Sequence, residues 1–303
     1  MIWIIGFWHV FDYIEYNAEA KEVMRHITIS VLACFTFISG FFLGKKQISV
    51  REFYLNRFKR FYLLFFVAST LLLLSGWYRS FSQYFFSLTG LSNFILPQPG
   101  TLWYISMLLL LYLVTPLLAY SSKSFLKNPP LVLAARCLLL IAILYICQYF
   151  SCIDYRTPFY SFFYIAGLLT PYSLYEELME KRAIVLLFGG AYFVGYLITG
   201  GGTLNLFHAA IGALLIIVIS SFVRSVSGNH LGRMWSALAY SSLCAYLFHR
   251  LIYMFFTHIA ATQSGQIPLF WIPVIVAVIL LASYSIQWLY DNRVISIINK
   301  VLK

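Results

Sequence analysis

A ladder of apolar segments runs through this sequence, and lysine and arginine gather on every second connection between them. Hydrophobic residues make up 61% of the 303 residues and charged residues only 10%, which differs strongly from the composition of a water-soluble domain. A helix needs about 20 apolar residues to cross the hydrocarbon core of a membrane. The sequence therefore predicts an all-α polytopic membrane protein in which residues 1–303 form one transmembrane domain.

The number of membrane spans follows from the length of the apolar segments. The segments with a suitable length and apolarity are residues 1–16, 27–44, 61–78, 101–120, 131–149, 157–174, 183–199, 204–223, 236–259 and 268–290. We therefore expect about ten transmembrane helices. An even number of spans places the two ends of the chain on the same side of the membrane.

The distribution of basic residues predicts the orientation. The connections 45–60, 121–130, 175–182 and 224–235, together with the C-terminal tail, contain 15 lysines and arginines, whereas the alternate connections contain 4. The positive-inside rule then places both termini in the cytoplasm. The net charge of +11 is spread along loop ends. A nucleic-acid partner would need that charge on one folded surface, so we expect none.

Two stretches differ from plain membrane spans. Residues 45–60 are basic with interleaved aromatic residues, which is typical of a helix lying at the cytoplasmic interface. Residues 79–99 are aromatic and polar, and they predict an outer-side cap or a re-entrant segment that is buried in protein or lines water. The five cysteines lie in or beside apolar segments without metal-ligand spacing, so the sequence predicts no metal site.

His9 is a candidate catalytic residue because ionisable groups inside spans are costly and usually functional. Asp12 and Tyr13 follow His9 at the positions that share one helical face with it. A carboxylate beside an imidazole can fix its tautomer and stabilise the imidazolium, which suits general-base work. The spacing alone also fits a histidine that joins packed helices.

Two further groups of basic residues have competing interpretations. His249 and Arg250 lie in the middle of the predicted ninth span, and Arg250 must find a carboxylate, carbonyls or water because it keeps its charge. It either faces a cavity or extends to the outer interface. Arg57 and Arg60 precede the third span three residues apart, where they suit a phosphate clamp or ordinary cytoplasmic anchoring.

Four stretches form an ordered set of motifs that covers nearly the whole chain. They are residues 36–46 (TFISGFFLGKK), 51–66 (REFYLNRFKRFYLLFF), 101–118 (TLWYISMLLLLYLVTPLL) and 240–253 (YSSLCAYLFHRLIY). In this order they resemble the signature segments of the acyltransferase-3 family of multipass membrane acyltransferases. The predicted span count and the cytoplasmic termini fit this family as well.

The resemblance implies an enzyme of a bacterial plasma membrane. It would move an acyl group, usually acetyl, from cytoplasmic acyl-CoA to a hydroxyl of an envelope polysaccharide or glycolipid sugar, with acetyl-CoA as the donor substrate and membrane lipid around it. His9 matches the family's first-span histidine, taken as the catalytic base, and Asp12 is expected to orient it. Arg57 and Arg60 match the arginine pair associated with the acyl donor.

The resemblance also suggests residues for a cavity and an acceptor site. Ser39 and Gly40 match the second-span motif, where small residues let helices approach closely. Trp103 and Tyr104 are expected to line the same cavity, and His249 matches the late histidine of the family. Arg250 departs from the family, in which many relatives have an apolar residue or proline after that histidine, and it is a candidate for binding an anionic acceptor. Relatives often have a basic residue upstream of the first-span histidine, at a position that would precede Met1. We therefore expect either a start further upstream or a chain without that cation.

Other functions remain open from the sequence. A transporter or flippase for lipid-linked saccharides would share the span count, although it would be expected to carry more intramembrane charges and a visible internal repeat. A glycan polymerase or ligase would be expected to carry a large arginine-rich outer loop, whereas the longest outer segment here contains only Arg79. An inactive relative that binds a partner is the third alternative.

Overall fold

The protein is helical throughout the part of the chain that its structure describes. The computed structural model describes residues 8–14, 18–45, 49–94, 102–119, 129–183, 204–226, 228–262 and 265–301, and no strand occurs in these ranges. The α-helices are α1 (Ala18–Lys45), α2 (Val50–Arg57), α3 (Leu63–Leu74), α4 (Phe81–Thr89), α5 (Trp103–Ala119), α6 (Pro129–Tyr149), α7 (Arg156–Leu169), α8 (Tyr172–Glu180), α9 (Leu204–Val226), α10 (His230–Ala260), α11 (Ile272–Leu289) and α12 (Ser296–Val301). Apolar surroundings favour this outcome, because a helix satisfies its own backbone groups.

Four helical segments among the described residues are long and apolar enough to cross a membrane. They are Met24–Leu43, Leu131–Tyr149, His230–Ala260 and Leu269–Lys300. The apolar helices Trp103–Leu118 and Leu215–Val226 are shorter. The prediction of an all-α membrane protein is therefore confirmed, whereas ten spans and cytoplasmic termini stay predictions. The predicted span 183–199 lies outside the described residues except for residue 183.

The first predicted span differs from a regular α-helix where it is described. Residues His9–Asp12 form a 3₁₀ turn, and the Tyr13 N–H donates to the Val10 carbonyl at 2.9 Å. Side chains three residues apart eclipse one another in a 3₁₀ helix. His9 therefore lies directly over Asp12, which preserves the predicted shared face in a tighter geometry. Residues 1–7 and 15–17 of this segment and its continuation lie outside the described residues.

The chain divides into two compact units, and each unit combines distant parts of the sequence. The first comprises Met1–Thr28, Phe58–Phe81 and Val223–Lys303, and the second comprises Ile29–Arg57 and Ser82–Phe222. The expectation that residues 1–303 form one domain stays a prediction.

In the first unit, α10 packs along α11 and also contacts α3. The buried residues of this core are Val10, Ile14, Ala245, Tyr253, Phe256, Ile267, Ile275 and Ile279. The Ile267 N–H donates to the Tyr13 carbonyl at 2.7 Å. This bond and the apolar contacts hold the 3₁₀ turn against the ends of α10 and α11.

Two π-helical segments of the first unit contact each other. One is Phe58–Tyr62, which precedes α3, and the other is Tyr290–Ile295, which follows α11. The Tyr290 hydroxyl donates to the Lys59 carbonyl, and the Lys59 ammonium donates to Asn299 Oδ1 at 2.7 Å. These bonds join the start of α3 to the end of α11 and to α12.

In the second unit, α5 packs against α2, α6 and α7. The predicted interfacial segment contains α2, whose Phe53 is fully buried and whose Tyr54 hydroxyl donates to the Leu113 carbonyl at 2.7 Å. The predicted 79–99 segment contains α4 and a 3₁₀ turn at Leu91–Asn93. Buried Asn93 accepts a hydrogen bond from the Thr157 hydroxyl at 3.2 Å, which connects this segment to the start of α7. Its depth in the membrane stays a prediction.

Helices α1 and α7 cross with their backbones in direct contact at two glycines. A Cβ at Gly40 would lie 2.0 Å from the Tyr164 carbonyl oxygen, and a Cβ at Gly167 would lie 2.1 Å from the Phe37 carbonyl oxygen. Backbone atoms cannot move aside as a flexible side chain can. The close helix approach expected from the second-span motif therefore occurs at Gly40.

This crossing predicts that Gly40→Ala destabilises the protein although alanine is the better helix former. The added methyl group would meet backbone, and overpacking of this kind costs about 1–3 kcal/mol. Gly212→Ala is the matched control, because a Cβ there would lie 3.7 Å from the nearest atom, the Ser30 carbonyl oxygen. Thermal unfolding in detergent should show a lower Tm for Gly40→Ala and an unchanged or higher Tm for Gly212→Ala. Equal Tm values for the two variants would contradict the direct backbone contact between α1 and α7 at Gly40.

Candidate active site

The guanidinium of Arg250 is the centre of a polar cluster in the first unit. Helix α10 supplies Arg250, and the 3₁₀ turn supplies its partners. Arg250 Nη2 lies 2.8 Å from His9 Nδ1 and 2.5 Å from Asp12 Oδ2. Arg250 Nη1 lies 3.1 Å from the Tyr13 hydroxyl oxygen. These contacts bring together four residues singled out from the sequence, namely His9, Asp12, Tyr13 and Arg250.

Aromatic rings enclose the same guanidinium. Its central carbon lies 4.9 Å from the centre of the Trp77 ring and 5.5 Å from that of Tyr13. The Tyr13 ring in turn stacks on Tyr253, with 4.7 Å between ring centres and 7° between planes. These contacts are favourable cation–π geometry. Arg250 is only 4% exposed, so these partners surround it, and its depth in the membrane stays a prediction.

Asp12 pairs with Arg250 more closely than with His9. Asp12 Oδ2 lies 3.6 Å from His9 Nδ1, which is too far for a hydrogen bond, and 2.5 Å from Arg250 Nη2. The carboxylate therefore balances the charge of Arg250, which the sequence required without identifying the partner. The Asp12 side chain keeps 41% of its surface exposed, whereas that of Arg250 is 5% exposed. An orienting role of Asp12 toward His9 stays a prediction.

The contact with Arg250 determines which nitrogen of His9 carries the proton. A guanidinium has donors and no acceptor. Nδ1 of His9 must therefore accept, and the neutral imidazole then holds its proton on Nε2. His9 is buried, with 6% of its surface exposed. In this arrangement the Nε2 atom of His9 is a hydrogen-bond donor.

His249 has the opposite arrangement. Its Nδ1 lies 2.7 Å from the Tyr246 carbonyl oxygen, which can only accept, so Nδ1 carries the proton. Its Nε2 is therefore an acceptor, and this buried atom has no hydrogen-bond partner among the described residues. The rings of His9 and His249 lie 4.7 Å apart between centres and are tilted by 31°. The cluster thus holds two neighbouring imidazoles with complementary outer nitrogens.

The predicted donor-binding arginines fall into different units. Arg57 ends α2 in the second unit, and its guanidinium carbon lies 5.0 Å from the Tyr112 ring centre and 5.7 Å from that of Phe53. Its Nε is buried and has no acceptor among the described residues. Arg60 belongs to the first unit and is exposed.

The aromatic candidates Trp103 and Tyr104 lie in the packing of the second unit. Tyr104 is fully buried, and its hydroxyl oxygen lies 2.8 Å from Thr36 Oγ1. The Trp103 ring centre lies 4.2 Å from the guanidinium carbon of Arg156. Ser39 is partly exposed on α1. The cavity roles of these three candidates stay predictions.

Several residues of these clusters were not predicted from the sequence. Trp77, which covers Arg250, lacks any distinguishing pattern in the sequence. Asp154 forms a two-pronged pair with Arg156, with contacts of 2.8 and 2.9 Å. An acidic and a basic residue two positions apart, just before an apolar helix, could have indicated this pair in the sequence. Among the described residues, no group of histidine, cysteine or acidic side chains suits a metal ion.

Comparison with known proteins identifies the family. A family model described as an acyltransferase domain, that of acyltransferase-3, matches residues 1–288. No curated protein and no solved structure matches the chain. The matched range includes both histidines of the cluster and Arg57, and it confirms the resemblance noted from the four sequence motifs. The chain belongs to the acyltransferase-3 family of membrane acyltransferases.

Proposed function

We propose that this acyltransferase moves an acetyl group from acetyl-CoA to a hydroxyl of an envelope polysaccharide or glycolipid sugar. The observation that carries the proposal is the buried cluster of His9, His249, Arg250 and Asp12 in a chain of the acyltransferase-3 family. Ionisable residues placed inside an apolar helical protein usually have a function.

The reaction needs groups of the kind that this cluster contains. A sugar hydroxyl attacks a thioester only as its proton leaves, which calls for a lone pair on a nearby base. The carbonyl oxygen gains negative charge at the same time, which calls for a hydrogen-bond donor. The outer nitrogens of the two imidazoles supply one acceptor and one donor. Asp12 balances the charge of Arg250, so the cluster suits an uncharged hydroxyl.

The donor side of the proposal rests on Arg57. Acetyl-CoA carries several phosphate charges, and a guanidinium recognises phosphate with two parallel donors. Arg57 is held between the rings of Phe53 and Tyr112 with a buried Nε that lacks an acceptor among the described residues. The basic residues of 45–60 support a cytoplasmic position for this site. We also propose that the chain crosses a bacterial plasma membrane ten times and that both of its termini lie in the cytoplasm.

The acceptor side rests on the aromatic segment that contains α4. Sugars stack on exposed aromatic faces, and Phe85 and Phe94 are 48% and 41% exposed. Tyr84, in contrast, is buried in the unit. We propose that exposed rings of this segment contact the glycan at the outer side of the membrane.

The proposal predicts that His9→Ala removes acetyl transfer. Cells producing the wild-type chain should gain O-acetyl groups on their envelope glycans, measured by NMR, and the variant should lose about 100-fold or more of this activity because it loses a cluster imidazole. Matched membrane abundance is checked by immunoblot. A transporter would move glycan without adding acetyl groups.

His258→Ala is the matched control for this experiment, since His258 lies exposed near the end of α10, away from the cluster. It should acetylate as the wild type does. Full acetylation by His9→Ala would show that the reaction does not require His9, although the protein would still be an acyltransferase. The absence of acetyl groups with the wild-type chain would overturn the proposed reaction.

The donor site predicts that Arg57→Ala raises the KM for acetyl-CoA by about 10- to 100-fold, because a hydrogen bond to a charged group contributes about 1.5–3 kcal/mol. The control is Arg51→Ala, which removes an exposed arginine from the same helix α2. The KM is measured from CoA release by the full chain in membrane vesicles supplied with isolated envelope glycan. A KM for Arg57→Ala equal to that of the control would contradict the assignment.

A further inference from the structure

We propose that His249 is the general base of the transfer and that His9 donates a hydrogen bond from Nε2 to the thioester carbonyl. This inference rests on the proposed acyl transfer and assigns the roles within that site. It differs from the role that the resemblance gives to His9. The two roles follow from the ring nitrogen on which each imidazole carries its proton.

The proton of His249 is placed by a backbone carbonyl of its own helix. The Tyr246 carbonyl oxygen lies 2.7 Å from Nδ1 and can only accept. A neutral His249 therefore presents a lone pair at Nε2. This atom is buried and meets no donor among the described residues, and His249 is fully buried. Buried polar atoms are nearly always hydrogen-bonded, so a ligand hydroxyl is the partner that this acceptor suits.

The proton of His9 is placed by Arg250. The guanidinium donates to Nδ1 at 2.8 Å, so Nε2 of a neutral His9 carries the proton. Arg250 is held in this position by Asp12, by the Tyr13 hydroxyl and by the Trp77 ring. For His9 to act as the base through Nε2, its Nδ1 would have to be protonated and face away from this cation. The arrangement thus favours His9 as a donor.

Among the described residues, the surroundings of His249 supply no second base. The titratable and charged groups around it are His9, Asp12 and Tyr13 from the 3₁₀ turn and Tyr246, Arg250 and Tyr253 from its own helix. The facing helix α11 contributes the apolar residues Ile275 and Ile279 to the core of this unit. Asp12 is engaged by Arg250, so His249 is the group of the cluster with an acceptor nitrogen to offer.

The acceptor hydroxyl gives its proton to Nε2 of His249 while its oxygen forms a bond to the thioester carbonyl carbon. The carbonyl oxygen becomes an oxyanion that accepts from Nε2 of His9. The carbon–sulfur bond then breaks, and the CoA thiolate takes the proton from the His249 imidazolium. The products are the acetyl ester and CoA thiol, with both histidines in their starting forms.

Two variants separate the roles because each keeps one nitrogen. His249→Asn retains an N–H for the Tyr246 carbonyl and removes the acceptor at the Nε2 position. His9→Gln retains an N–H near the Nε2 position and cannot act as a base. The measurement is the pH profile of kcat for CoA release by the full chain in membrane vesicles with acetyl-CoA and isolated envelope glycan. Thermal unfolding of both variants reports on folding.

We expect His249→Asn to lower kcat by about 100-fold or more and to remove the acid limb of the profile. His9→Gln should lose less than about 10-fold and keep that limb, because it keeps a donor. Loss of the acid limb in His9→Gln, or near wild-type activity of His249→Asn, would overturn the assignment. Equal loss in both folded variants would overturn it as well. A wild-type chain without glycan-dependent CoA release would instead contradict the proposed function.

Discussion

The charge of Arg250 is the constraint on which the candidate site depends. A guanidinium inside an apolar helix needs partners, because the cost of removing its charge from water is high. The 3₁₀ turn at His9–Asp12 meets this need with a carboxylate, an imidazole nitrogen and, from the next residue, a tyrosine hydroxyl. The same contacts fix the position and the tautomer of His9. The buried charge of Arg250 therefore determines how the side chains around it are arranged.

The second unit is held together by different interactions. Its helices α1 and α7 touch through the backbone at Gly40 and Gly167, and hydroxyl groups such as that of Tyr104 bond within the buried packing. Close-packed helices of this kind have little room to adjust. Arg57 lies on helix α2 of this unit, where the rings of Phe53 and Tyr112 contact its guanidinium and its buried Nε has no acceptor among the described residues.

Local patterns in the sequence predicted much of this protein. Apolar segments indicated helices that the structure confirms where it describes them, except at His9–Asp12, which form a 3₁₀ turn. The charge of Arg250 correctly indicated an internal partner. The sequence could not show that Asp12 would pair with Arg250 rather than with His9, because that choice depends on a contact between distant parts of the chain. The proton positions of both histidines depend on the same kind of contact. Trp77 was missed because aromatic residues are common throughout this chain.

A double-mutant cycle between Asp12 and Arg250 shows whether the two residues act together to position His9. The rate of acetyl transfer is measured for Asp12→Asn, Arg250→Gln and the double variant in membrane vesicles at matched abundance. If the pair acts as one unit that positions His9, each single change lowers the rate and the double variant is no slower than the slower single one. Effects that multiply would show that Asp12 and Arg250 act independently, and the account of the site would then be wrong.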